Sequence, residues 1–293
     1  MKYTIHNAVL TAEIDSYGAE LCSLRSNLTG TEYIWQADPE IWARHAPLLF
    51  PIIGRLKDKQ YTVDGQTYDI TQHGFARDSE FVCMEQNENS IALSLVISEQ
   101  AERMYPFPIA LTIRYTLDGN RLKKEHITTN KGNEPLYYEI GGHDAFNVAL
   151  DAGETMQDYY VDFGDRAELY PFVNDENLML TKDKRTVPLK DGRLYLDPEV
   201  FALDALIMDD IIPRHLTIRS DKSAHTIRMD FEDFPYVALW TKYTGKATNY
   251  VCIEPWTTLP DCAYLDKALE NKIGVRRLNA GETEIVTTLT TIE

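Results

Sequence analysis

No stretch of the 293 residues is apolar for long enough to cross a membrane as a helix, and the opening Met1-Lys2-Tyr3-Thr4-Ile5-His6 lacks the charged-then-apolar order of a secretory leader. A cytoplasmic protein is the expectation. Basic residues are also scarce: 29 lysines and arginines face 46 aspartates and glutamates, a formal charge of −17. A field of that sign repels nucleic-acid phosphates and anionic lipid surfaces, so neither nucleic acid nor a membrane is expected as a partner, and neutral small molecules fit best. The four cysteines, Cys22, Cys83, Cys252 and Cys262, form no CxxC pair. Neither a thiolate metal site nor a redox motif is suggested, and four buried, reduced thiols are expected. Alternation of strands with long amphipathic helices is missing, which argues against a parallel βαβ architecture. Low-complexity linkers and short repeats are missing too, and residues 1–293 are read as one domain.

What the chain does contain is period-two alternation. Ile91, Leu93, Leu95 and Ile97 fall on one side of an extended segment, as do Ile109, Leu111, Ile113, Tyr115 and Leu117. Turn chemistry separates such runs at Asp64-Gly65, Asp118-Gly119-Asn120 and Ser220-Asp221-Lys222. Helical signals are short: Asp38-Pro39-Glu40 opens a turn or two before Pro47, and Ser98 caps a brief helix ending before Pro106. The predicted architecture is all-β, a large antiparallel β-sandwich with a few short helices. The sequence leaves monomer and homodimer equally open.

Among seven histidines, His73 and His143 stand out because each is set against glycine, in Gln72-His73-Gly74-Phe75 and Gly141-Gly142-His143-Asp144-Ala145-Phe146-Asn147. Glycine permits close backbone approach or a positive φ, so each is either a satisfied turn histidine or a functional one. Glu254, in Tyr250-Val251-Cys252-Ile253-Glu254-Pro255-Trp256, is a carboxylate in an apolar strand-like run. Buried there it needs a partner; at a strand end it needs only water. An extended backbone puts Cys252, Glu254 and Trp256 on one face, and a carboxylate beside an indole suits a sugar, whose C–H face stacks on aromatics. Arg55 follows the apolar Phe50-Pro51-Ile52-Ile53-Gly54, and Asp204 interrupts Phe201-Ala202-Leu203-Asp204-Ala205-Leu206-Ile207. Trp42, Phe146, Trp240 and Trp256 are candidates for an apolar wall, and Lys242 and Lys246 for a phosphate contact.

Taken in order, Phe50-Pro-Ile-Ile-Gly-Arg55, His73-Gly-Phe, Gly-Gly-His143-Asp-Ala-Phe-Asn147 and Cys252-Ile-Glu254-Pro-Trp256 resemble the aldose 1-epimerase (galactose mutarotase-like) family over nearly the whole chain. Within it the chain is most similar to the branch represented by the bacterial LacX proteins. The resemblance implies a mutarotase that interconverts the α and β anomers of a hexose, without metal or organic cofactor. By motif, Glu254 takes the role of general base and His143 that of general acid. His73, Arg55 and, on a looser motif, Asp204 take substrate-binding roles, with Trp256 beside them. Many members of the family carry a longer Asn-His-Leu-His-Gly-Gly stretch at the first histidine, and galactose-specific relatives an Asn-His-Thr-Tyr-Phe-Asn pattern at the second. These departures leave the sugar unnamed. A hexose 6-phosphate is the other substrate considered.

Other classes compete on residue type alone. His73, His143 and Glu254 form a conceivable zinc or non-haem iron set, without the short spacings such sites favour. A glycoside hydrolase needs paired carboxylates, and Glu254 has histidines for company. A non-catalytic sugar sensor needs the binding aromatics without both proton-transfer groups. If Glu254 and His143 had ordinary pKa values of about 4.3 and about 6.5, carboxylate and imidazolium would coexist only over a narrow window.

Overall fold

The computed structural model describes every residue from Met1 to Glu293. The strand Ile109–Asp118 shows how directly the alternation is realised: Ile109, Leu111, Ile113, Tyr115 and Leu117 are all buried, and the residues between them are half-exposed. It returns through Gly119 (φ 56°) into Arg121–Asn130, with Asp118 opposite Arg121. Asp64 and Gly65 both have positive φ, 50° and 76°, the conformation that lets a two-residue turn follow strand twist between Gln60–Val63 and Gln66–Asp69.

These pairings extend into a nine-stranded antiparallel sheet. Its spatial order is Arg193–Tyr195, Tyr159–Asp162, His215–Ser220, Thr226–Asp230, Thr283–Ile292, Arg121–Asn130, Ile109–Asp118, Ser90–Leu95 and Phe81–Gln86. A second antiparallel sheet has four strands, Asp144–Asn147, Tyr250–Trp256, Tyr236–Trp240 and Leu206–Met208 in that order. One apolar cluster takes Leu111, Ile218 and Met229 from the large sheet and Val237, Leu239, Val251 and Ile253 from the small one. That shared core makes the fold a β-sandwich.

The small sheet is covered on its other face as well. Residues of opposite parity, Ile207, Ala238 and Trp256 in one group and Tyr250 and Cys252 in another, join two smaller clusters there. All seven residues of Tyr250–Trp256 are therefore buried.

Some local expectations are corrected. Asp38–Trp42 forms a hydrogen-bonded turn, with the Ile41 and Trp42 amides returning to the Asp38 carbonyl, and does not become a helix. The strand expected to reach Ile97 stops at Leu95, because Ser98 caps the helix Glu99–Met104 by accepting from Ala101 N at 3.1 Å; Val96 and Ile97 are exposed. None of the four cysteines is paired, but Cys83, on the edge strand Phe81–Gln86, is only half-buried. No helix is long and apolar enough to cross a membrane.

Gly74 is the tightest point near the site. Its φ is +72°, and an added Cβ would stand 2.1 Å from the Phe50 carbonyl oxygen. Gly74→Ala is expected to destabilise by more than the ~1 kcal/mol that the same change contributes to stability where φ is compatible, because backbone must move. Thermal unfolding with an unchanged midpoint would contradict this.

Candidate active site

The outer face of the small sheet carries the candidate residues. Register places Asp144 opposite Ile253, and Gly142 N donates to the Pro255 carbonyl at 3.0 Å. The segment leading into Asp144–Asn147 thus runs alongside Glu254 and brings His143 Nε2 to 3.3 Å from Glu254 Oε2. Close approach depends on Gly141, where a Cβ would meet Trp256 Cδ1 at 2.6 Å. Both partners are buried, His143 at 7% and Glu254 at 2% exposure.

Two loop residues with left-handed backbone complete the set. His73 (φ 64°) accepts from Gly54 N at Nδ1, 3.1 Å away. A backbone N–H can only donate, so the neutral ring carries its proton on Nε2; the Gln72 side-chain nitrogen 3.2 Å away is itself a donor and does not accept that proton. Asp204 (φ 75°) accepts from Trp240 Nε1 at 3.0 Å, leaving its other carboxylate oxygen free of that bond. Non-glycine residues in this region carry strain of about 1–3 kcal/mol and cluster at functional sites.

Arg55, His73, His143, Asp204, Glu254 and Trp256, six positions spread over two hundred residues, line one cavity of about 330 Å³. Trp42 and Trp240 line it too. The Trp42 indole stacks on the His143 ring at 5.0 Å between centroids, and Trp240 meets that ring edge-on at 5.4 Å. Phe146 does not take part: its parity on Asp144–Asn147 turns it into the shared core, where it is 1% exposed. Lys242 and Lys246 also stay outside the cavity; both are exposed, and Lys242 Nζ donates to the Ile41 carbonyl at 2.7 Å.

Gln72, Arg77 and Asn174 line the cavity without having been singled out. Gln72 is tied to the site from both sides, its Oε1 accepting from Arg55 Nε at 3.1 Å and its carbonyl from Arg77 Nη2 at 2.8 Å. Arg77 and Asn174 sit in local sequence with no motif, and only chain folding brings them in.

Burial governs the electrostatics. It pushes the Glu254 carboxyl well above the usual carboxylate range, reinforced by the charges of Asp204 and Asp144. Burial likewise pulls His143 far below the ordinary imidazole value, assisted by the charges of Arg77 and Arg44. His73 is held neutral by burial, then by His143 and the nearby arginines. The two groups are thus displaced from their ordinary values in opposite directions. Both shifts oppose charge, so a proton shared by the pair is favoured on the carboxyl over the imidazole.

Behind the pair lies a second buried ion pair, Lys124 Nζ to Asp144 Oδ1 at 2.5 Å. As to metal, His143, Cys252 and Glu254 each bring one donor atom within 4.8 Å of the others, with Cys252 in the place where sequence order had suggested His73. Burial and Glu254 push the Cys252 thiol well up, which opposes the thiolate a metal needs.

A model of the aldose 1-epimerase family matches residues 1–272. The chromosomal and plasmid LacX proteins of Lactococcus lactis subsp. lactis are each 35% identical to this chain over 286 residues, covering 95% of it and 95% of their own length. Among solved structures, a galactose mutarotase related enzyme from Lactobacillus acidophilus superposes with a TM-score of 0.93 at 35% identity, over 100% of this chain and 97% of that one. A galactose mutarotase-like protein from Lactobacillus casei gives 0.91 at 28% identity, over the full length of both chains. With a family match that spans most of its length and relatives this similar end to end, the chain belongs to the aldose 1-epimerase family, in its LacX-like branch.

Proposed function

We propose that this protein interconverts the α and β anomers of a hexose, with Glu254 and His143 as the proton-transfer pair. The observation that carries the reading is the 3.3 Å contact between these two groups on the wall of a cavity the size of a small-molecule site. Ring opening removes a proton from O1 and adds one to ring O5, and both oxygens are bonded to C1. The two groups must therefore be neighbours.

Moving the shared proton across the contact yields a carboxylate and an imidazolium, the latter favoured by the indole of Trp42 stacked on its face. Glu254 then takes the O1 proton as His143 gives one to O5, and the C1–O5 bond breaks to leave the open-chain aldehyde. Rotation about C1–C2 presents the other carbonyl face, and the same pair run in reverse closes the ring. Protons balance within the pair and no electrons are exchanged, so the chemistry calls for no cofactor.

His73, with its proton on Nε2, donates toward the ring oxygen, and Arg55 and Asp204 bind hydroxyls. Trp42, Trp240 and Trp256 exclude water from the C–H faces. Four unpaired cysteines suit work in a reducing cytoplasm.

Exchange spectroscopy or polarimetry on freshly dissolved glucose and galactose tests the reading; saturable binding without faster exchange would favour a sensor. The pH dependence is a sharper test. A raised Glu254 keeps the pair's last proton to higher pH, and a lowered His143 delays the second proton to lower pH. The acid limb of the catalysed rate, set by the lowered His143, should fall below the ordinary carboxylate value of about 4.3 that an unshifted pair would show. An acid limb at that value would count against the shared-proton arrangement.

A further inference from the structure

Arg55 reaches the cavity from a stretch of chain, Pro51 to Leu56, that belongs to no strand or helix, and its side chain is exposed. Arg55 and Gln72 line both the cavity of Glu254 and His143 and a second hollow of about 860 Å³, so packing does little to fix the guanidinium. What holds the stretch is a set of buried charges outside the cavity.

Glu139, Lys272 and Asp261 are 0%, 6% and 3% exposed. Lys272 Nζ lies 3.3 Å from Glu139 Oε1 and 3.8 Å from Asp261 Oδ1. The other oxygen of each carboxylate reaches the Arg55 stretch. Glu139 Oε2 accepts from Ile53 N at 2.6 Å, and Asp261 Oδ2 accepts from Lys57 N at 2.8 Å. Two amides, one on either side of Arg55, are thus tied through two carboxylates to a single ammonium. Between them Gly54 (φ +69°) lies so close to Pro260, the neighbour of Asp261, that an added Cβ would stand 2.7 Å from the proline Cβ. Gly54 in turn fixes His73: its N–H donates to His73 Nδ1 at 3.1 Å, and its carbonyl accepts from His73 N at 2.8 Å. A shift of the chain at Ile53 would therefore move Arg55 and release the His73 ring.

Burying three charges adds little net stability, since an apolar set of similar volume is often as stable or more so. It does fix direction, because a carboxylate binds a backbone N–H about twice as strongly as a neutral acceptor does. What is being directed follows from the proposed function, on which this inference rests: Arg55 binds a hydroxyl, and His73 donates from Nε2 toward the ring oxygen. We infer that Glu139, Lys272 and Asp261 are positioning residues for the sugar site, a buried clamp that sets Arg55 in place and holds His73 with its proton on Nε2.

Three variants test the clamp. Glu139→Met removes the acceptor of Ile53 N but leaves Lys272 beside Asp261, so no charge is stranded. Glu139→Gln keeps an oxygen for that amide. Lys272→Met cuts the link between the carboxylates. Ring-nitrogen NMR signals of isotope-labelled His73 report its tautomer without any sugar, and tryptophan fluorescence reports the affinity for glucose and galactose. A single tautomer is expected in the intact chain and in Glu139→Gln. Both Met variants should show mixed tautomers, with sugar affinity weaker and KM higher by about tenfold, the worth of roughly one well-placed hydrogen bond. A folded Glu139→Met with one tautomer and native affinity would overturn the inference, and so would a Glu139→Gln that behaves like Glu139→Met. A lower unfolding temperature with both readouts unchanged would make the cluster a core element only. Should Lys272→Met fail to fold, Glu139→Met carries the test. If the intact chain neither binds nor exchanges either sugar, the mutarotase reading falls, and the His73 signals still decide whether the clamp holds.

Discussion

Glu254→Gln and His143→Asn should each slow catalysed anomer exchange by about 10²–10⁴-fold, the usual worth of a well-placed proton-transfer group. Each substitution keeps the side chain's approximate shape and hydrogen-bonding capacity but removes its ability to exchange a proton. The double variant should be little worse than either single one, because in the proposed cycle acid and base act together and removing one idles the other. Sugar affinity should persist, since Arg55, His73, Asp204 and three tryptophans remain on the cavity wall. Those indoles supply a fluorescence signal for binding. Near-normal exchange in either purified, folded variant would dismiss the assignment of the pair, and loss of binding together with exchange would recast both residues as ligand contacts.

The second large effect is on stability. Lys124 and Asp144 are 4% and 2% exposed, and their contact is 2.5 Å. Lys124→Met would strand a carboxylate in a dry interior, next in sequence to His143 and close enough to Glu254 for its charge to be felt there. Removing one partner of such a pair typically costs about 3–5 kcal/mol, while replacing both with apolar groups is often nearly neutral. Urea unfolding should therefore show a large loss for Lys124→Met and substantial recovery in Lys124→Met/Asp144→Leu. A loss below about 1 kcal/mol, or a double variant no better than the single, would mean that water reaches Asp144 after all. Because Asp144 opens the strand that positions His143, the double variant also separates two roles: recovered stability with reduced exchange would identify the ion pair as a positioning device for the histidine.

Much of the sandwich was legible because a strand with one buried face writes its burial at every second position. Ile109 through Leu117 did so without exception, and the Asp64-Gly65 turn followed from the positive φ that its residues tolerate. The same rule reads poorly where both faces are covered. In Tyr250–Trp256 every residue is buried, so alternation by itself could not separate the core-facing Val251 and Ile253 from the site-facing Cys252, Glu254 and Trp256. Phe146 was misplaced for a related reason: it lies three residues from His143, but strand parity sends it into the core.

By itself, the sequence determined the strand-rich fold class, the family and the ordered set of Arg55, His73, His143, Asp204, Glu254 and Trp256, because these depend on local periodicity and on motifs that survive as contiguous residues. Tertiary structure alone decided the rest. It brought in Arg77 and Asn174, opened a second hollow beyond Arg55 and Gln72, and set Lys124 behind the Glu254–His143 pair. It also reversed the ordinary order of the Glu254 and His143 pKa values. Desolvation, which drives that reversal, is a property of everything packed around a group, and no short stretch of chain carries it.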